Sequence, residues 1–165
     1  MKNRILTHEQ IRHITKRIAY QIYESNVDEE VIVVAGINGG GVNFAKKIVA
    51  VLQKITEAKI VLCKVDMDKK NPLKSGVSTS ISEKEYTDRS IVLVDDVLNS
   101  GTTLIYGTHH FLKTPIKQLK TAVLVNRNHK KYPIKADYKG ISLSTSLNEH
   151  IEVVFEDKND AVYLA

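Results

Sequence analysis

The segment IVLVDDVLNSGTT, residues 91–103, constrains the fold of this chain more than any other. Its first four residues are apolar and mostly β-branched, a pattern typical of a strand that is buried on both faces. The strand ends in two adjacent carboxylates, Asp95 and Asp96. Small and hydroxyl-bearing residues then lead into a predicted helix that begins near Thr102 or Thr103. The segment therefore predicts a strand, an acidic pair, a short loop and a helix.

The two halves of this segment favour different ligand groups. Unpaired backbone N–H groups and the dipole at a helix start favour a phosphate over the loop. Two carboxylates repel an anion and instead accept hydrogen bonds from hydroxyls or hold a divalent cation. A sugar phosphate satisfies both halves. The alternative is purely structural: Asp95 ends the strand, Asp96 forms a turn, and Gly101 serves only the backbone.

Similar alternations of strand and helix surround this segment. A capping box at Thr7 and Gln10 predicts an amphipathic first helix, and residues 31–35 read as a strand followed by a glycine-rich loop and another helix. Apolar, strand-like runs also predict strands at residues 60–65, 119–125, 151–155 and 161–164. We therefore expect an α/β fold, with a mainly parallel twisted sheet, helices on both faces and a small β-rich hood at the C-terminal end.

Length and composition narrow the class of protein. A chain of 165 residues suits one domain, 1–165, and its single cysteine excludes a disulfide framework. No apolar run approaches the roughly 18 residues that span a bilayer, so we expect a cytoplasmic protein without a membrane partner. The net charge of +5 favours anionic partners, both phosphorylated metabolites and nucleic acid. Residues 66–90 are polar, and we expect a loop or a loose hairpin that acts as a mobile lid.

The central segment resembles the phosphoribosyl-pyrophosphate (PRPP) motif of type I phosphoribosyltransferases in both length and order of residue types. This resemblance implies that Asp95 and Asp96 bind the ribose hydroxyls. It implies that the 5-phosphate lies on Asn99, Ser100, Gly101, Thr102 and Thr103. The glycine-rich loop takes the pyrophosphate through Asn38, Gly39 and Gly40. The cofactor implied is Mg²⁺, which the substrate mainly holds, near the two aspartates and with no certain protein ligand.

A second resemblance is narrower. The segment LVNRNHKKYPIKADYKG, residues 124–140, is similar to LVDRGHRELPIRADYVG of the bifunctional pyrimidine operon regulators that also act as uracil phosphoribosyltransferases. The first helix and the DAVYL segment, residues 160–164, are similar as well. By position, the base would be surrounded in the hood, residues 126–165 with the strand before it, by Val125, Arg127, Lys135, Ala136, Asp137 and Tyr138. The resemblance also implies a homodimer or a higher homo-oligomer.

The chain departs from that family in the parts that bind pyrophosphate and RNA. The family's arginine-rich loop GIRTRG is GINGGG here, so Asn38 and Gly40 replace two cationic residues. A first-helix Thr and His and a later Arg that the family links to RNA binding align with Lys16, Tyr20 and Leu147. The resemblance as a whole implies a transferase that moves the phosphoribosyl group of PRPP to a pyrimidine base, uracil first, and releases pyrophosphate. The alternative is an RNA-binding regulator that uses PRPP or nucleotides as effectors with little or no turnover.

Overall fold

The computed structural model describes residues 2–165, in which strands and helices alternate as the sequence predicts. In chain order the elements are β1 (Asn3–Leu6), α1 (His8–Glu24), β2 (Val31–Ile37), α2 (Gly40–Ile55), β3 (Lys59–Asp66), α3 (Pro72–Ser75), β4 (Ser78–Thr79), α4 (Glu83–Tyr86), β5 (Ser90–Leu98), α5 (Thr102–Phe111), β6 (Gln118–Arg127), β7 (Tyr138–Leu143), β8 (Ile151–Val154) and β9 (Ala161–Leu164).

The central sheet has the order β4-β3-β2-β5-β6-β7, and every neighbouring pair is parallel except β3 with β4. The predicted, mainly parallel sheet is confirmed. Its central strands β2, β5 and β6 are almost fully buried because helices cover both faces. The helices α1 and α2 pack on one face, while α5 and the short α4 pack on the other. The carboxyl ends of β2 and β5 therefore meet at one edge of the sheet, where open α/β folds bind ligands.

Local sequence signals explain how α1 begins. The Thr7 side chain accepts a hydrogen bond from the Gln10 backbone N–H, and the Gln10 side chain accepts one from the Thr7 N–H, so the predicted capping box is present. The predicted apolar face is buried through Ile11, Ile18 and Ile22. None of the described helices is both long and apolar enough to cross a membrane.

Residues 66–90 contain more regular structure than a loop. Two one-turn helices, α3 and α4, flank β4, and Ser78 of β4 pairs antiparallel with Asp66 of β3. The hairpin expected within this segment is thus present, and its second strand is the two-residue β4. The mobility predicted for this segment stays a prediction.

A second, smaller sheet forms the β-rich end of the chain in the order β1-β9-β8, with both pairs antiparallel. The sequence predicted β8 and β9 but missed β1 and also missed β7. The strand β7 follows β6 in parallel, so part of the predicted hood, residues 138–143, is the edge of the central sheet.

Candidate active site

Two adjacent carboxylates lie at the end of β5, facing the start of α2. The Asp95 carboxylate accepts hydrogen bonds from the Asp96 backbone N–H at 2.9 Å and from the Thr103 hydroxyl at 2.6 Å. The Asp96 carboxylate accepts one from the Val97 backbone N–H at 2.8 Å and also lies against Gly40. A side chain at residue 40 would clash with the Asp96 carboxylate, so glycine there permits the close approach of the two loops.

Burial makes this pair electrostatically unusual. Asp95 is only 3% exposed, and its pKa is raised from 3.8 to about 7. Removal from water is the largest cause of the rise and the neighbouring Asp96 charge is the next, while the Lys69 charge and the Thr103 hydroxyl oppose it. The site therefore favours a ligand that brings hydroxyl donors or positive charge to these carboxylates.

The loop that follows β5 is shaped to expose backbone N–H groups. Gly101 has a φ of 88° and precedes the first turn of α5 without a side-chain cap. The Ser100 hydroxyl lies 2.7 Å from the Thr102 hydroxyl, and the Ser100 carbonyl accepts a 2.8 Å hydrogen bond from the Lys131 N–H. The loop is thus held from behind by residue 131, while the start of α5 remains open to an anion.

The glycine-rich loop after β2 has the same construction. Gly39 has a φ of 85° and precedes α2, which also begins without a side-chain cap. The Asn38 backbone N–H donates to the Val65 carbonyl at 2.8 Å, and the Asn38 side chain accepts from the Met67 N–H at 3.3 Å. Two uncapped helices thus begin at the same edge of the sheet, in contrast to the fully capped α1.

The carboxylate pair and the loop after β5 line one open cavity of about 270 Å³. This cavity brings together the predicted ribose residues, the predicted 5-phosphate residues and Arg127 from the predicted base site. Val97 and Leu98 of the central segment also line it, as do three residues from other segments for which the sequence pattern indicated no role: Lys69, His150 and Ile151. For His150 and Ile151 the sequence offers only a weak signal, namely their position at the start of a predicted hood strand.

Arg127, at the end of β6, is 5% exposed and joins three segments. Its guanidinium donates to the Asn99 side chain at 3.1 Å and to the Thr145 hydroxyl at 2.9 Å. It also donates to the carbonyls of Ser146 at 3.3 Å and Glu149 at 2.9 Å. Arg127 therefore ties the loop after β5 to the segment that carries His150 and Ile151 into the cavity.

The other predicted base-binding residues lie away from this cavity. The side chain of Val125 is buried in the core beneath α1 and α2, and so is most of Tyr138. The Asp137 carboxylate accepts a hydrogen bond from the Thr121 N–H at 2.9 Å, and the Lys135 carbonyl accepts one from the Thr121 hydroxyl. With Ala136 between them, these residues pack beside the first half of β6. The base-binding role predicted for them stays a prediction that their positions do not favour.

The residues present fit Mg²⁺ only as an ion held jointly with a substrate. The described chain contains no group of three or more His, Cys, Asp or Glu side chains that would hold a metal alone. The half-buried Asp96 carboxylate opens to the cavity and offers the hard oxygen ligand that Mg²⁺ prefers. The remaining ligands would come from phosphate, ribose and water oxygens.

Comparisons with known proteins agree with this geometry. The family model of the phosphoribosyl transferase domain matches residues 1–160. The Bifunctional protein PyrR of Streptococcus pneumoniae strain CGSP14 is 34% identical over 153 residues, which cover 91% of this chain and 88% of that protein.

Solved structures are similar in fold. A hypoxanthine-guanine phosphoribosyltransferase of Bacillus anthracis superposes with a TM-score of 0.71 at 22% identity, covering 86% of this chain and 83% of that one. The hypoxanthine phosphoribosyltransferase of Trypanosoma cruzi gives a TM-score of 0.76 at 16% identity over 97% of this chain and 95% of that one.

Proposed function

Because the chain belongs to the phosphoribosyl transferase domain family, we propose that it transfers the phosphoribosyl group of PRPP to a pyrimidine base, with uracil the preferred acceptor. The support for a pyrimidine is the relative named PyrR together with the similarity of residues 124–140 to uracil-using members of that group. The products are the nucleoside 5-monophosphate and pyrophosphate.

One observation carries the proposal: the buried Asp95, the half-buried Asp96 and an uncapped helix start line the same cavity. Asp95 and Asp96 suit the two ribose hydroxyls, which donate hydrogen bonds to carboxylates. The backbone N–H groups at the start of α5 suit the 5-phosphate. Both features line the same cavity, so a single sugar phosphate can contact both.

The reaction requires positioning more than a nucleophile of the protein. The bond from C1 of the ribose to the pyrophosphate oxygen breaks, and its electron pair leaves with the pyrophosphate. A ring nitrogen of the base forms the new bond to C1, and the proton of that nitrogen passes to water or to the departing pyrophosphate. The two aspartates hold the ribose, and their negative charge favours the positive charge that develops on it. The hood segment tied by Arg127 brings His150 and Ile151 into the cavity, where they would help to shield the reacting carbon from water.

Mg²⁺ belongs to this proposal as the cofactor, with Asp96 as the side chain nearest to hold it. When bound, it neutralises charge on the pyrophosphate. The expected cytoplasmic location and the expected homodimer or higher homo-oligomer stay predictions.

The test is pyrophosphate release from PRPP and Mg²⁺, measured in parallel with uracil, cytosine, hypoxanthine, guanine and orotate. Turnover that is fastest with uracil supports the proposal. Turnover with a purine alone would keep the chemistry and overturn the choice of base. No release with any base, from a protein that still binds PRPP, would contradict the transferase activity.

A second function, RNA binding in the manner of a regulator, is favoured by one surface. A groove between α1 and α2 is lined by Arg12, Lys16 and Lys54, with the half-exposed ring of Tyr20 among them. Cations contact phosphates and an exposed ring can stack on a base. Filter binding of a pyrimidine-operon leader RNA against a scrambled RNA of equal length tests this function. Equal affinity for both RNAs would show only non-specific charge attraction.

A further inference from the structure

The proposed pyrophosphate site lacks positive charge of its own. Pyrophosphate carries several negative charges, and residues 38–41 contain no cationic side chain. The Asn38 carboxamide is engaged with the Met67 N–H, and the Asp95 and Asp96 carboxylates stand beside the glycines. The backbone N–H groups of α2 supply only partial charges. A cationic side chain from another part of the chain would add to the positive charge that Mg²⁺ brings to this anion.

Lys69 is that cation by position. It lines the cavity with Asp95 and Asp96, and its charge is felt at Asp95, where it lowers the pKa. A β-carbon placed on Gly39 would lie 3.4 Å from the Lys69 ammonium nitrogen. Within the described residues 2–165, the Lys69 ammonium makes no ion pair within 4.0 Å. It is therefore poised over the glycine loop with its charge available to a ligand.

The chain around Lys69 is built to keep it there. The Asp68 side chain accepts hydrogen bonds from the N–H groups of Lys70 at 3.0 Å and Asn71 at 3.1 Å, which closes a tight turn around residue 69. The Met67 N–H donates to the Asn38 side chain, so the turn is fastened directly to the glycine loop. The neighbouring Lys70 is solvent-exposed, as Lys69 is, but it does not line the cavity.

We propose that Lys69 binds the pyrophosphate group of PRPP, facing the glycine loop from the segment 66–90. This inference rests on the proposed function, and it adds a pyrophosphate-binding residue that lies outside residues 38–40. Lys69 holds the leaving group by charge, while the glycine loop holds it by backbone N–H groups. The geometry divides the pyrophosphate site between two loops that the Asn38 side chain joins.

The experiment measures binding of inorganic pyrophosphate, in the presence of Mg²⁺, by isothermal titration calorimetry. It compares the wild type with Lys69→Met, Lys69→Arg and the matched control Lys70→Met. Methionine keeps most of the side-chain length and removes the charge. We expect Lys69→Met to weaken binding by about 10-fold or more, the size of one lost charge-assisted contact, whereas Lys69→Arg stays within about threefold and Lys70→Met within about twofold.

Two results would overturn the inference. One is pyrophosphate binding by Lys69→Met within twofold of the wild type. The other is an equal loss in Lys70→Met, which would mean that only the overall positive charge matters. Wild-type turnover with PRPP and uracil is recorded alongside. Its absence would contradict the proposed function, while the calorimetric comparison would still decide the role of Lys69.

Discussion

The two edges of the central sheet treat buried polar groups in opposite ways. At the amino edge, the Asn26 side-chain oxygen accepts hydrogen bonds from the Ser90 hydroxyl at 2.5 Å and the Gln118 amide at 3.2 Å, and the three groups are uncharged. At the carboxyl edge, two adjacent carboxylates face a cavity, and burial raises the pKa of Asp95 to about 7. One edge satisfies its polar groups internally, and the other leaves charge for a ligand to satisfy.

The amino edge is therefore suited to stabilising the fold, and the carboxyl edge is suited to binding a ligand. Fully paired neutral groups in a buried site contribute to stability and specify one arrangement of strands. Adjacent buried carboxylates cost free energy of folding, and such costs are concentrated at functional sites. Substitutions at the two edges should therefore separate activity from stability.

The largest effect is expected from the double substitution Asp95→Asn and Asp96→Asn. Asparagine keeps the shape but removes the charge that, in the proposed reaction, holds the ribose hydroxyls and stabilises the positive charge at C1, so kcat/KM for PRPP should fall about 1,000-fold. The melting temperature should stay the same or rise, since two crowded charges are removed. Steady-state pyrophosphate release and thermal unfolding of the same preparation check both parts. A large drop in melting temperature would mean that the pair stabilises the fold, which would contradict the proposed difference between the two edges.

Arg127→Lys tests whether a residue at the carboxyl edge acts on the ligand or on the protein. Arg127 lines the cavity, yet its guanidinium is fully hydrogen-bonded to protein groups. Lysine cannot reproduce the fork of four hydrogen bonds, so the hood should be misplaced and turnover should fall roughly 30-fold. The loss should be similar with every accepted base, because the residue positions the hood. A change in the order of preference among bases would instead support the direct base contact that the sequence predicted.

Asn26→Ala tests the amino edge. Removing this side chain leaves the Ser90 hydroxyl without its acceptor and the Ile22 carbonyl without the Asn26 amide donor, whereas the Gln118 amide keeps its 3.0 Å hydrogen bond to the Ser90 hydroxyl. The free energy of unfolding should therefore fall by about 2 kcal/mol. The KM for PRPP should not change. Urea denaturation measures the loss, with Ser25→Ala as the control, since its exposed hydroxyl repeats a bond that the Ser25 N–H already makes to the Gln21 carbonyl. A raised KM for PRPP would contradict the proposal that the amino edge affects stability without affecting ligand binding.

The smallest effect is a pH dependence at Asp95. Its folded pKa, about 7, lies above the unfolded value of 3.8, so the folded state binds the extra proton between these values. The associated stability is fully present below pH 3.8 and is lost as the pH rises through 7. Asp95→Asn has no such loss, so its stability relative to the wild type should increase by at least about 1 kcal/mol between pH 5 and pH 8. Denaturation curves at both pH values measure this, and a constant difference would contradict the raised pKa.

The sequence predicted the features whose signals are local. Residues 91–103 carry a strand pattern, a carboxylate pair and a helix start within thirteen consecutive positions, and the structure places them as predicted. The capping box at Thr7 is equally local. The same holds for the glycines after β2, whose role before a helix follows from neighbouring residues.

The features that escaped prediction depend on distant partners. The strand β1 has four residues and exists because β9, more than 150 residues later, pairs with it. The role of Arg127 depends on where the carbonyls of Ser146 and Glu149 arrive, which its own neighbours do not encode. Lys69 was one of several lysines in a polar segment, and only the turn closed by Asp68 distinguishes it.

The place of β9 in the small sheet has a consequence for synthesis on the ribosome. This strand is the middle one, so β1 and β8 have no partner in that sheet until it has been translated. The backbone of His150 is held by two hydrogen bonds to Ala165, at 2.8 and 2.9 Å. A nascent chain can therefore assemble the central strands and the aspartate pair while its hood is still open. The lining that His150 and Ile151 give to the cavity is completed last, so a chain cut short before β9 would carry the two aspartates without that part of the proposed site.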